Sequence, residues 1–300
     1  MKTAYKVSAF ALGLAMAFGV AWAVGDVVRS ADGGDPPARA AATGHGDAHP
    51  AASALPPGLS VSENGYTLRV ASSTPELRFR ITGPDTAPVT GFQVQHDKRL
   101  HLVLVRRDGS GYQHLHPEMD AGGTWSTPLV LPAAGTYRIF ADFLPDGGPK
   151  TVLGTDLQVA GAFEPQQYAV DTRTSTVDGY TVRLDGDLRA GAKTTVTATV
   201  AKDGKPVTDL QPYLGANGHL VALRSADLAY LHVHPEEAPG SGPEVAFAVE
   251  VPTDGKYRLF FDFQHEGVVR TADFTLTASA PTTSAPTTAT TGEDGHAGHG

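Results

Sequence analysis

The sequence predicts an all-β chain: two tandem β-sandwich domains, immunoglobulin-like or cupredoxin-like, behind an N-terminal hydrophobic segment. Three observations predict it. Apolar residues alternate or form short runs bounded by Gly, Pro and Asp, about seven per hundred residues, which is the pattern of antiparallel sandwiches. No window of a dozen residues beyond the N-terminus carries the 3.6-residue period of an amphipathic helix. The pattern also occurs twice. HLVLVRRDGSGYQHLHPE, from His101 to Glu118, returns as HLVALRSADLAYLHVHPE, from His219 to Glu236, at a constant separation of 118 residues. The separation is 114 around Gly65 and Gly179 and 120 around Gly135 and Gly255, so the connecting loops differ while the hydrophobic runs match. A period this long means two domains rather than a solenoid of short repeats.

The strands of the first unit are expected at 66–70, 76–82, 90–95, 100–106, 111–116, 124–130, 135–143 and 151–159. In the second they are clearest at 193–201, 219–224, 229–234, 244–251, 255–263 and 268–276. Alternation puts Tyr257, Leu259, Phe261 and Phe263 on the buried face of their strand, with Arg258, Phe260 and Asp262 on the other. Arg138 with Asp142, and Arg258 with Asp262, are then expected as same-face ion pairs. The domains run over 61–162 and 163–278.

The ends of the chain read differently. Residues 1–29 form a signal peptide or signal-anchor helix: Lys2 and Lys6 precede an uncharged run from Val7 to Gly25, long enough to span a bilayer. Ala21-Trp22-Ala23 offers a small-x-small cleavage site, so the alternatives are a single-pass membrane protein with its domains extracytoplasmic and a secreted one. Residues 30–60 read as a flexible tether and 279–300 as a disordered tail; His45, His49, His296 and His299 lie in these segments. The formal charge of −9 argues against a nucleic-acid partner, and the absence of cysteine removes disulfides, thiolate ligands and blue-copper centres. There is no nucleophile elbow, phosphate loop or HExxH, so no enzyme is expected.

The histidines carry the chemistry. Each unit holds a His-x-His pair and a third histidine thirteen residues earlier: His101, His114 and His116, then His219, His232 and His234. Alternate residues of a strand project together about 7 Å apart, and an antiparallel hairpin brings His101 towards His116 and His219 towards His234. With Asp142 and Asp262 nearby, each domain is expected to hold a divalent ion, copper or zinc, on imidazole and carboxylate ligands. The competing expectation is a structural polar network, with the chain serving as a scaffold for another envelope protein. Tyr112 and Tyr230 are expected as packing partners, and His96 and His265, unmatched in the other copy, as surface or outer residues.

The segments VTGFQVQHDKRLHLVLVRRDGSGYQHLHPE and LQPYLGANGHLVALRSADLAYLHVHPE, followed by GxYRxFxDF, resemble actinobacterial exported or membrane-anchored proteins of the heavy-metal-binding type, and the YtkA-like group of small extracytoplasmic β-domains. The resemblance spans roughly residues 65–277. It implies an extracytoplasmic compartment and metal association, with copper handling foremost, on His101, His114, His116, Asp142, His219, His232, His234 and Asp262. It implies no reaction.

Overall fold

The computed structural model describes residues 55–231, 233–236 and 240–281. The expected N-terminal helix (1–29), most of the tether, nearly all of the tail, His232 and the side chain of His234 lie outside the described residues. No helix occurs among the described residues, and none there is long and apolar enough to cross a membrane.

The first repeat contains β1 (Ser62–Glu63), β2 (Tyr66–Ser72), β3 (Glu76–Thr82), β4 (Phe92–Gln93), β5 (Leu100–Arg106), β6 (Gln113–Leu115), β7 (Glu118–Met119), β8 (Thr124–Pro128), β9 (Gly135–Pro145) and β10 (Thr151–Val159). The second contains β11 (Thr174–Val177), β12 (Tyr180–Asp185), β13 (Lys193–Lys202), β14 (Lys205–Pro206), β15 (His219–Arg224), β16 (Tyr230–Leu231), β17 (His234–Pro235), β18 (Glu244–Glu250), β19 (Gly255–His265) and β20 (Val268–Ala278). In the first repeat one sheet has the order β1-β2-β3-β8-β7 and the other β10-β9-β5-β6. The second repeats this as β11-β12-β13-β18-β17 and β16-β15-β19-β20. Two antiparallel sheets in this order form the immunoglobulin-type sandwich, not a cupredoxin barrel.

Each sandwich closes on its own core. Leu77, Phe79, Ile81, Leu102, Leu104, Trp125, Tyr137 and Ile139 fill the first; Tyr180, Val196, Phe247, Tyr257, Leu259, Phe261 and Phe274 fill the second. The start of the long strand is tied down identically in both repeats. The Tyr137 hydroxyl donates to the Ala133 carbonyl at 3.0 Å, and that of Tyr257 to the Thr253 carbonyl at 2.8 Å. This is the tyrosine corner of immunoglobulin-like folds. Tyr257→Phe keeps the ring and deletes only the buried bond, so it should reduce stability by about 1 kcal/mol, read as a lower urea midpoint at constant slope.

The two repeats pack through β5 and β9 against β15 and β19. Val103, Val105, Phe140 and Val152 meet Val221, Leu223, Leu228, Tyr230 and Phe260 in a third buried cluster. The Tyr112 ring stacks on Phe260 at 4.0 Å, and Tyr230 lies against Phe140 at 5.5 Å. The contact between positions i and j therefore recurs as j and i, as in an isologous dimer interface, here made within one chain. His101 and its equivalent His219 stack on each other at 5.7 Å with planes 2° apart, which places them at the local twofold axis.

Two expectations are corrected. The second His-x-His segment is not one strand over 229–234. The chain leaves one sheet after Leu231, and His234–Pro235 joins β18 of the opposite sheet. In the first repeat the change of sheets falls at His116-Pro117, between β6 and β7, where Pro117 has no N–H to continue the first ladder; in the second it falls before His234. Second, Arg138 turns away from Asp142 to Asp156 (2.9 Å) and the Gly58 carbonyl. Arg258 likewise pairs with Asp273 and Thr275 rather than Asp262. The face of β5 and β19 that carries His101 and Asp262 is the seam between repeats, which the sequence reading did not anticipate.

Candidate metal centre

Alternation along β5 sends Leu100, Leu102 and Leu104 into the first core and leaves His101, Val103 and Val105 on the seam. The β5–β6 register pairs Leu102 with Leu115 and Val103 with His114. One step further sets His101 beside His116, as the hairpin expectation required, with ring centroids 5.2 Å apart. His101, His114 and His116 each offer a ligand atom, and these atoms all lie within 4.8 Å of one another. Among the described residues no other group of three histidines or carboxylates gathers so closely.

Hydrogen-bond partners fix where the ring protons are. His101 Nε2 lies 2.9 Å from the Gln95 carbonyl, which can only accept, so Nε2 carries the proton. His114 Nδ1 lies 2.8 Å from Asp262 Oδ2, so Nδ1 carries the proton there. The remaining atoms, His101 Nδ1 and His114 Nε2, lie 3.1 Å apart, either as two facing lone pairs or with one further proton between them. Beside them His116 Nε2 is buried with no hydrogen-bond partner among the described residues. Burial and the neighbouring His114 hold the His101 pKa down at about 4. Burial, His114 and His101 hold that of His116 at about 3. At neutral pH both rings are therefore uncharged, the form in which imidazole ligates a metal.

The second repeat enters the same cluster. His219 stacks on His101 and its ring lies 5.1 Å from His114. Asp262 pairs across the ladder with His219, as Asp142 does with His101. Asp142 sits 3.6 Å from Lys150 Nζ and is bonded by the Tyr230 hydroxyl, mirroring Tyr112 on Asp262 at 3.4 Å. Of the eight residues expected to ligate, five (His101, His114, His116, His219 and Asp262) converge here. Asp142 lies on the equivalent side of the seam. His232 and the His234 side chain fall outside the described residues.

Sequence reasoning missed two contributors. Gln95 and Lys98 close a two-residue turn whose central residues, His96 and Asp97, have φ of 47° and 63°. The equivalent Leu214 and Gly215 have φ of 57° and 80° between Tyr213 and Ala216. Both are hairpin turns with two left-handed residues, hidden because His-Asp and Leu-Gly lack the usual Asn-Gly signature. This turn delivers the Gln95 carbonyl to His101 and sets the His96 ring 6.1 Å from His101 and 5.6 Å from His219. His265, by contrast, is a satisfied core histidine, held by the Tyr180 hydroxyl (2.7 Å) and Asp209 (3.1 Å).

The donor set fits a small divalent cation. Two imidazole nitrogens about 2.0–2.1 Å from one tetrahedral ion stand roughly 3.3 Å apart, close to the 3.1 Å found. The third donor, within 4.8 Å of both, must move inward to close on the same point.

Comparison with solved structures finds low overall likeness to tandem-domain proteins. A chimeric titin Z1Z2-Z1Z2 tandem is 13% identical, covering 71% of this chain and 99% of its own, with a TM-score of 0.18. A Corynebacterium diphtheriae protein described as membrane-anchored is 11% identical over 73% of this chain and 60% of its own, at 0.22. The Ig1-2 module of the Drosophila receptor tyrosine phosphatase DLAR is 10% identical over 75% and 95%, at 0.20. These values add nothing to the strand order itself. No curated protein matches the sequence. One family model matches most of the chain, once over residues 57–160 and again over 175–280, spanning both sandwiches and every described histidine of the cluster. The chain belongs to that family, the domain of unknown function DUF8832, and carries two copies of it.

Proposed function

We propose that this is a non-enzymatic, extracytoplasmic metal-binding protein, tethered by its N-terminal segment, that buffers or relays a divalent ion through its histidine cluster. The observation that carries the reading is His116 Nε2: a buried nitrogen without a hydrogen-bond partner among the described residues, next to two ring nitrogens 3.1 Å apart. Leaving a buried polar atom unsatisfied costs about 1–3 kcal/mol, and an ion at the centre of the three removes that cost. An all-imidazole site without thiolates suits copper(II) or zinc, and the resemblance to YtkA-like domains favours copper. The compartment rests on Lys2, Lys6 and the uncharged run 7–25. The absence of cysteine is compatible with an oxidising environment.

A second reading keeps the cluster purely structural. If His114 is an imidazolium, its two N–H groups satisfy Asp262 and His101 Nδ1 together, and the chain is a scaffold for an envelope partner. That arrangement leaves His116 Nε2 unexplained, which is why it ranks second.

Calorimetric titration of the full chain with Zn²⁺ and Cu²⁺ separates the two. Metal binding predicts a tight phase that disappears in His101→Ala/His114→Ala, a loss larger than the ~10–100-fold typical of removing an outer partner. Weak uptake by tail histidines should survive in that variant. A tight phase that is absent from the unaltered chain, or unchanged in a folded double variant, would favour the scaffold.

A further inference from the structure

Asp262 belongs to the second repeat by sequence and to the first repeat's histidines by contact. It is fully buried, and both its oxygens are taken. Oδ2 accepts from His114 Nδ1 at 2.8 Å and from the Tyr112 hydroxyl at 3.4 Å; Oδ1 accepts from the Thr271 hydroxyl at 2.5 Å. It is not placed to ligate the ion itself. Among the described residues no lysine or arginine pairs with it, so the hydrogen bonds from His114, Tyr112 and Thr271 are what stabilise the buried carboxylate. A carboxylate on the far nitrogen of an imidazole fixes the tautomer, aims the other nitrogen and raises its basicity towards a metal.

We infer that Asp262 is the positioning residue for the His114 ligand, so that the metal centre of the first repeat is completed by the second and exists only while the two are docked. This rests on the metal-binding reading above, and it makes the first repeat's centre depend on a residue of the second. The ion is then also a clamp: the free energy of binding it is shared with closure of the β5–β9 and β15–β19 seam. The His101–His219 stack at the local axis supports the same conclusion, since first-repeat ligand and second-repeat ring move together.

Two measurements on the full chain test it. In the metal-free protein, long-range ¹H–¹⁵N spectra of the imidazoles should show His114 protonated on Nδ1; in Asp262→Asn this preference should be lost. Titration with Zn²⁺ should give about 10–100-fold weaker binding in Asp262→Asn, with the zinc-induced shift of His114 Nε2 reduced. A role for Asp262 in folding alone would lower the metal-free unfolding midpoint and leave the zinc affinity of the folded fraction unchanged, overturning the inference. So would an unprotonated His114 Nδ1 in the unaltered chain, a result that needs no variant to fold. If the unaltered chain takes up no zinc or copper, the functional proposal fails by itself, and the clamp fails with it. The tautomer spectrum then still reports whether Asp262 orients His114.

Discussion

Phe260→Ala is expected to lower the unfolding free energy by about 3–5 kcal/mol, although Phe260 lies outside both sandwich cores. The ring is 2% exposed and belongs to the seam cluster. One face stacks on Tyr112 at 4.0 Å, and the Arg258 guanidinium lies 5.2 Å from its centroid. Truncation to Ala removes the stacked pair, opens a cavity beside Val103, Val105 and Leu228, and leaves the Arg258 guanidinium with Tyr168 alone as its aromatic cover. The sandwiches on either side are fixed by their own cores and cannot collapse fully into the gap, so the cost stays near the upper range for buried aromatics. Val268, 47% exposed at the start of β20, provides the contrast: Val268→Ala should stay within about 0.5 kcal/mol. Urea unfolding followed by Trp125 fluorescence measures both. A loss below about 1 kcal/mol at Phe260 would mean the repeats do not pack through this seam in solution. Because the seam joins two units that each own a core, the parent is expected to unfold in one transition and the variant in two.

How much of this was legible in the sequence depends on which interactions are local. The paired strands over 76–82, 100–106, 151–159 and 219–224 coincide with β3, β5, β10 and β15, because period-two alternation and turn residues are local signals. The approach of His101 to His116 was legible for the same reason, since hairpin register follows from loop length. The seam was not read, though it left a trace. In β5 every residue from Leu100 to Arg106 is buried, and in β9 and β19 both faces carry large apolar or capped polar side chains. A strand with Val103 and Val105 opposite Leu102 and Leu104 has no solvent face, and that pattern marks a sheet covered on both sides. The pairing of His114 with Asp262, 148 positions apart, left no local trace at all, because it depends on how the two domains dock. His96 was set aside for lack of a counterpart, yet the local axis makes one copy sufficient to reach both His101 and His219.

The metal-free protein should lose stability on acidification well before its carboxylates titrate, and the histidine cluster sets the window. In the unfolded chain His101 and His116 protonate near pH 6.5; in the fold they do so only at about 4 and about 3. Between these limits the unfolded state binds more protons than the native one, so stability rises with pH. Expressed on acidification, the stability is intact above about pH 6.5, declines as the pH falls from there, and levels off only below about pH 3. The cause lies in the same geometry that suits a cation. Neither ring has a carboxylate bonded to it: His101 faces a carbonyl and another imidazole, and His116 Nε2 faces no partner, so a proton on either is a buried, uncompensated charge. Two depressed histidines acting together should cost on the order of a few kcal/mol by pH 4, a large share of the margin of a typical small domain. His101→Gln/His116→Gln, neutral at every pH, should flatten the pH profile of the urea midpoint between 6.5 and 4. A profile unchanged by this double substitution would mean that the imidazoles are solvated in the native protein and that the cluster opens without a bound ion.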